Sequence, residues 1–126
     1  MRRPTNSGPR QRKPSPPAAR DYETERRLCH AIIHRLLVEL RYKDDLVWRT
    51  IAPYAVFHNA QGGVCLSCYQ FSNPMQPQDD DEPRDFTVAE IVSLQLTDRH
   101  FLIDPRFNPR DRKYTHGSVI CMVQFG

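Results

Sequence analysis

The stretch VWRTIAPYAVFHNAQGGVCLSCYQF, residues 47–71, decides the fold. Its two halves are rich in β-branched and aromatic residues, which suit a pleated, half-buried surface. Between them lies Asn59-Ala60-Gln61-Gly62-Gly63, a turn by its chemistry. Its glycines tolerate positive φ, and the Asn side chain can fold back on its own backbone. Val47–Ala52 and then Tyr54–His58 read as extended, and Val64–Phe71 reads as the returning strand. Residues 57–66 are the most secure hairpin in the chain. Pro53 has no N–H to give to a ladder, so it is expected at a strand end or on a sheet edge.

Toward the N-terminus, Asp21 can cap a helix that starts near Tyr22, with Glu23 and Glu25 in the first turn opposing the helix dipole. Leu28, Ala31, Ile32 and Arg35 fall on one face at helical spacing. The period then changes near Arg35. Leu36, Val38, Leu40 and Tyr42 alternate with Leu37, Glu39, Arg41 and Lys43, which is a strand pattern. Lys43-Asp44-Asp45 is a turn.

Toward the C-terminus, Ser72 to Pro83 is a polar loop with Pro74, Pro77 and the acidic run Asp79-Asp80-Asp81-Glu82. A strand over Arg84–Val88, a short turn around Ala89-Glu90 and a strand over Ile91–Thr97 follow. From Asp98 to Gly117 there is little regular pattern, and Phe101, Phe107 and Tyr114 are the residues that can pin this segment to the body. Val119, Cys121, Val123 and Phe125 alternate as a last strand. One helix followed by five or six short strands gives a mostly-β (α+β) domain, a small open barrel or a strongly bent sheet.

A chain of 126 residues suits one such domain. Residues 1–20 stand apart from it. They carry five prolines, six basic residues, no acid and no apolar cluster, the composition of a disordered tail. The domain is then residues 21–126. Six of the 18 basic residues lie in the tail, so 12 remain against all 15 acidic ones, and the domain is near −3 while the whole chain is +3. The basic character is the tail's, and its cations can touch nucleic acid or anionic lipid without specific spacing.

No apolar run approaches the roughly eighteen residues that span a bilayer, and the N-terminus has no apolar region of the kind a secretory signal needs. The expectation is a cytoplasmic protein with Cys29, Cys65, Cys68 and Cys121 as reduced thiols. Cys65-x-x-Cys68 is one zinc knuckle where a structural site needs two, and strand positions three apart face opposite ways. His30 and His34 share a helix face without a third ligand at a supporting spacing. No metal and no cofactor is expected. No Gly-x-Ser-x-Gly, phosphate-cradling glycine loop or His-Glu-x-x-His occurs, so no enzyme is expected either. The acidic run reads as solvated loop, or as a counter-charge that holds the basic tail.

The order of landmarks resembles the WYL domain, in particular its short stand-alone bacterial relatives. The residues that carry the resemblance are Leu40-Arg41-Tyr42, Arg49 and Pro53, the glycine-turn hairpin returning through Leu66 to Tyr69-Gln70, Arg84-Asp85-Phe86, Ile91, Leu94 and Phe101, and the aromatic-Asn-Pro of Phe107-Asn108-Pro109. At the eponymous Trp-Tyr-Leu positions this chain has Val64-Cys65-Leu66, keeping only the leucine. The resemblance covers roughly residues 26–125. It implies a small barrel of the Sm or Src-homology-3 type and a regulatory, ligand-sensing role. A nucleic acid or nucleotide-like ligand, and a protein partner in transcription regulation, are the partners it implies. One helix before the barrel leaves no room for a helix-turn-helix reader of duplex DNA.

Arg49 and Arg84 match positions where the family keeps arginine. A guanidinium binds phosphate or carboxylate through a planar fork, so two converging arginines make an anion pocket, with Tyr42 and Tyr69 supplying stacking or a hydroxyl. The competing reading is ordinary pairing with Glu39, Asp85 or Glu90, worth about 0–1 kcal/mol. Two function classes stay open. One is a ligand-sensing or nucleic-acid-binding module. The other is an interaction domain that docks on a protein through an open barrel edge. Convergence of the arginines and tyrosines on one concave patch separates them. Oligomeric state is not specified by these residues.

Overall fold

The computed structural model describes residues 19–72, 82–115 and 118–125. The expectations for the tail up to residue 18 and for Asp79-Asp80-Asp81 lie outside the described residues. Helix α1 spans Tyr22–His34. Asp21 caps it as expected, Oδ1 accepting from the Thr24 N–H at 3.1 Å and Oδ2 from the Thr24 hydroxyl at 2.7 Å. Arg20, grouped by composition with the tail, closes a two-pronged ion pair on Glu25 at 2.8 and 2.6 Å. That partner is what makes a buried carboxylate tenable on a core-facing helix. The helix stops at Arg35, whose left-handed backbone (φ 56, ψ 48) returns its N–H to the Ala31 and Ile32 carbonyls. This is the residue where the sequence period changes.

Six antiparallel strands follow: β1 Leu36–Tyr42, β2 Arg49–His58, β3 Val64–Ser72, β4 Glu82–Thr87, β5 Ile91–His100 and β6 Val119–Met122. Their order is β4-β3-β2-β1-β5, and β6 also pairs β2. The result is one helix on a six-stranded, mostly-β sheet that does not close. Asn59 organises the β2–β3 turn, its side-chain oxygen accepting from the Gln61 and Gly63 N–H groups at 2.9 Å each, while Gly62 takes φ 86. A 3-10 turn, Val88–Glu90, joins β4 to β5.

Pro53 departs from expectation. It lies fully buried inside one continuous strand, and that strand is central. The register shows why the sheet tolerates it. β1 pairs β2 over residues 49–51 and β6 pairs it over residues 55–57. Pro53 sits in the gap between these two neighbours, and on the β3 side it borders a register shift at Tyr54. Its missing donor falls where the ladder is already broken.

The core joins the α1 face to the inner side of the sheet. Leu28, Ile32, Val38, Leu40, Ile51 and Leu66 are all fully buried, each contributing about 1.5–3 kcal/mol of apolar transfer. After β5 the chain wraps back across the sheet. Phe101 and Tyr114 are buried, and the Phe107 ring lies 4.8 Å from Tyr54, so the three aromatics pin this segment as expected. A single turn, α2 (Arg112–Thr115), precedes β6. Val123 enters the core, its N–H donating to the Tyr54 carbonyl at 2.8 Å.

The expectation of four thiols is overturned. Cys29 on α1 and Cys121 on β6 form a disulfide, with Cα atoms 5.8 Å apart. An even cysteine count carries no pairing information. It is the wrap of residues 101–121 that brings two cysteines 92 positions apart onto facing elements. Cys65 and Cys68 are free.

Candidate functional site

The residues singled out from sequence fall into two clusters. The first lies at the β1–β2 corner. Arg49 donates from Nε and Nη2 to the two oxygens of Asp45 at 2.6 and 2.9 Å, and from Nη1 to Gln70 Oε1 at 3.1 Å. Its guanidinium rests 5.6 Å over the Phe86 ring, and the Tyr42 ring meets the same phenyl edge-on at 4.7 Å. The Tyr42 hydroxyl accepts from the Thr87 N–H and donates to Glu90 Oε1, both at 3.1 Å. The hydrogen bond from Arg49 holds the Asp45 carboxyl below its ordinary range, and Asp45 also accepts from the Tyr42 N–H. The partner of Arg49 is thus the turn aspartate, which charge pattern alone does not pick out.

The second cluster surrounds a cavity of about 210 Å³ between the outer side of β3–β4 and the C-terminal segment. Tyr69 and Arg84 line it, together with Asp85, Arg106, Lys113 and Tyr114. Strand alternation puts Tyr69 and Ser67 on this side of β3. The Arg106 guanidinium lies 5.0 Å over the Tyr69 ring, and Tyr54 backs Tyr69 at 5.2 Å. Tyr54 also fixes the loop that carries Arg106, its hydroxyl accepting from the Asp104 N–H at 2.7 Å. Each cation is in contact with a carboxylate: Arg84 with Glu82 at 2.7 Å, Arg106 with Asp104 at 2.7 Å and Lys113 with Asp85 at 3.1 Å. Ser67 donates to the same Asp85 at 2.8 Å. Burial raises the phenol pKa values of Tyr54, Tyr69 and Tyr114, the last to about 12, so all three are neutral hydroxyls at physiological pH.

Arg84 borders the cavity with Tyr69, but it pairs Cys68 across the sheet, so its side chain stands on the opposite face from Tyr69 and Ser67; Tyr42 and Arg49 are not among the lining residues. The charges of both arginines act on the buried Cys68. Reading the sequence missed Arg106, Lys113 and Tyr114 as site residues. The available signal was Phe107-Asn108-Pro109 set among basic residues, with Phe107 and Asn108 both on the cavity wall.

Cys65 and Cys68 face opposite sides of β3. Cys65 accepts from Asn59 Nδ2 at 3.3 Å, and Cys68 contacts the Arg84 carbonyl at 3.6 Å. The His30 and His34 rings pack 4.5 Å apart. Among the described residues no group of three or more His, Cys, Asp or Glu side chains is placed to hold a metal ion. None of their helices is long and apolar enough to cross a membrane.

No family model matches the chain, and no curated protein matches it. Among solved structures it is similar to proteasome accessory factor B/C (PafBC) of Arthrobacter aurescens, with a TM-score of 0.55 at 13% identity over 71% of this chain. The matched region is 14% of that chain's length, so the likeness is one of fold in a small part of a much longer protein.

Proposed function

We propose that this chain is a non-enzymatic, WYL-like regulatory module whose ligand site is the cavity between β3–β4 and the C-terminal segment. Its ligand is single-stranded nucleic acid or a nucleotide-like molecule. The carrying observation is Arg106 laid on Tyr69, with Lys113 on the same side of the sheet and in the same cavity. An aromatic face beside several cations is the minimum needed to take a base and its phosphate together. The likeness in fold to part of PafBC supports the WYL-like reading of the sheet.

The ion pairs inside the cavity support exchange. Arg106–Asp104 and Lys113–Asp85 are both open to solvent, and pairs of that kind contribute about 0–1 kcal/mol. A phosphate oxygen therefore displaces Asp104 from Arg106, or Asp85 from Lys113, at small cost. A base that stacks on Tyr69 takes the place Arg106 holds now, and Arg106 follows the phosphate. The volume is below the roughly 300–1,000 Å³ of a pocket that engulfs its ligand. The cavity suits one nucleotide unit, with the rest of the strand running outside.

A second reading rests on the open sheet. β4 and β5 end the strand path, and no described strand pairs with their outer edges. A protein partner in transcription regulation adds a strand there, without a small ligand. Backbone amide shifts of isotope-labelled protein on adding a short oligothymidylate tell the two apart. The ligand reading expects shifts at residues 67–69, 84–85 and 104–114. Shifts confined to residues 91–100, or none at all, defeat it.

A further inference from the structure

We propose that the Cys29–Cys121 disulfide is a redox latch on the C-terminal wall of the cavity. A dithiol reductant opens the latch, releases β6 and, with it, the wall. The part of this proposal that concerns ligand control rests on the reading of the cavity given above.

The two ends of the bond are anchored very unequally. On α1, Leu28, Ala31 and Ile32 are fully buried in the core, and Asp21 and the Arg20–Glu25 pair fix the start of the helix. The helix stays docked without the disulfide. β6 is four residues long and meets β2 at three register pairs. Val119 and Ile120 are exposed, and of the described residues beyond Met122 only Val123 is buried. The bond also closes a loop of 92 positions, so opening it restores a large amount of chain freedom to the weaker end.

Release of β6 reaches the cavity through Tyr114, alongside the Val123 N–H bond to Tyr54 and the Phe125 ring 6.2 Å from Phe107. Tyr114, on the cavity wall, packs edge-on against Phe57 at 5.0 Å. Phe57 is the β2 residue that pairs Val119 of β6, and Met122 packs on the same cluster. Removing β6 uncovers the seat of Tyr114, and Tyr114 sits next to Lys113 in the one-turn helix α2. Arg106, Phe107 and Lys113 then lose the brace on their C-terminal side.

The chemistry balances with a dithiol reductant. One thiolate attacks a sulfur of the bond, a mixed disulfide forms, and the second thiol resolves it. Cys29 and Cys121 leave as two thiols and the reductant leaves as its cyclic disulfide, with two electrons and two protons transferred. Both cysteines are half-buried, so a small dithiol can reach them. The other two cysteines do not interfere, because burial raises both thiol pKa values and leaves few thiolates to reshuffle the bond.

The test is amide hydrogen exchange on the full chain, oxidised and after treatment with dithiothreitol, alongside titration of a labelled oligothymidylate. On reduction, exchange in residues 104–123 is expected to quicken at least about tenfold, the equivalent of 1.4 kcal/mol of local stability. Protection in β1–β3 is expected to hold, and affinity for the oligothymidylate to fall by a similar factor. The Cys29→Ser/Cys121→Ser double variant should behave as the reduced protein in both states of the buffer. Unchanged exchange in residues 104–123 overturns the latch. So does collapse of β1–β3 protection, which would make the bond a staple for the whole fold. If the double variant does not fold, dithiothreitol on the natural chain decides. If oxidised protein fails to bind the oligothymidylate while the exchange contrast is present, the ligand reading falls and the latch on the segment stands.

Discussion

The two clusters share one device, an arginine laid on an aromatic ring and held by a carboxylate. Arg49 lies 5.6 Å over Phe86 with Asp45 as its partner, and Arg106 lies 5.0 Å over Tyr69 with Asp104. They differ in burial. The Arg49 and Asp45 side chains are 19% and 12% exposed, those of Arg106 and Asp104 58% and 25%. The buried copy also bonds Gln70 inside the core and caps the β1–β2 turn. A charge pair withdrawn from water holds the corner together, because neither partner can be lost without stranding the other. A pair left in water can trade its carboxylate for another anion. The residue types that suggest an anion site are common to both, and solvent access decides which one can act as a site.

The largest effect that can break this comparison is on stability. Asp45→Ala leaves a mostly buried guanidinium with Gln70 alone, and should cost about 2–4 kcal/mol in urea melts. Asp104→Ala, the matching change at the exposed pair, should cost under about 1 kcal/mol. Equal losses would erase the distinction. Acid titration sharpens it. Asp45 has its folded-state pKa below its ordinary value of 3.8, chiefly through the Arg49 hydrogen bond. Its contribution is therefore complete above that value and is lost as pH falls through the lowered one. In Asp45→Asn the loss of stability between about pH 4 and pH 2 should flatten relative to the natural chain. An acid limb of unchanged steepness contradicts the assigned cause.

A smaller effect concerns the brace under the cavity. Tyr54→Phe removes the acceptor for the Asp104 N–H while keeping the ring, and should cost about 1 kcal/mol. The change should also quicken exchange around residues 104–107. Smallest of all, Glu23→Ala deletes an exposed helix pair with Arg26. It should leave the urea midpoint unchanged within error, which sets the floor for reading the others.

Much of the fold is legible in the sequence because its signals are local. Asp21 announces the helix, the change of period marks Arg35, and Asn59 to Gly63 sets the hairpin. Pro53 is misread because its tolerance depends on where β1 ends and β6 begins on the two halves of β2, a fact no local pattern contains. The disulfide is misread for the same reason, since residues 101–121 must wrap across the sheet before Cys121 meets Cys29. The site is legible by halves. Tyr69 faces the cavity, whereas Arg84 is set against Cys68 by the β3–β4 register and turns to the other face, which no local pattern specifies. Arg106 and Lys113 reach it from a segment without periodicity, where only the aromatic pins hint at contact. Arg49 and Tyr42 attract attention as residue types, and their burial is a property of the assembled corner.

The most direct measurement titrates a labelled oligothymidylate across salt concentrations against three proteins: the natural chain, Arg106→Gln/Lys113→Gln and Arg49→Gln. The account predicts that the double variant keeps most of its stability and loses at least about tenfold in affinity. The slope of log K against log salt should also fall, by about 0.7 for each phosphate contact removed. Arg49→Gln should lose stability yet, while folded, bind with an unchanged slope. A double variant with natural affinity and slope, or a folded Arg49→Gln that binds as weakly as the double variant, would contradict it.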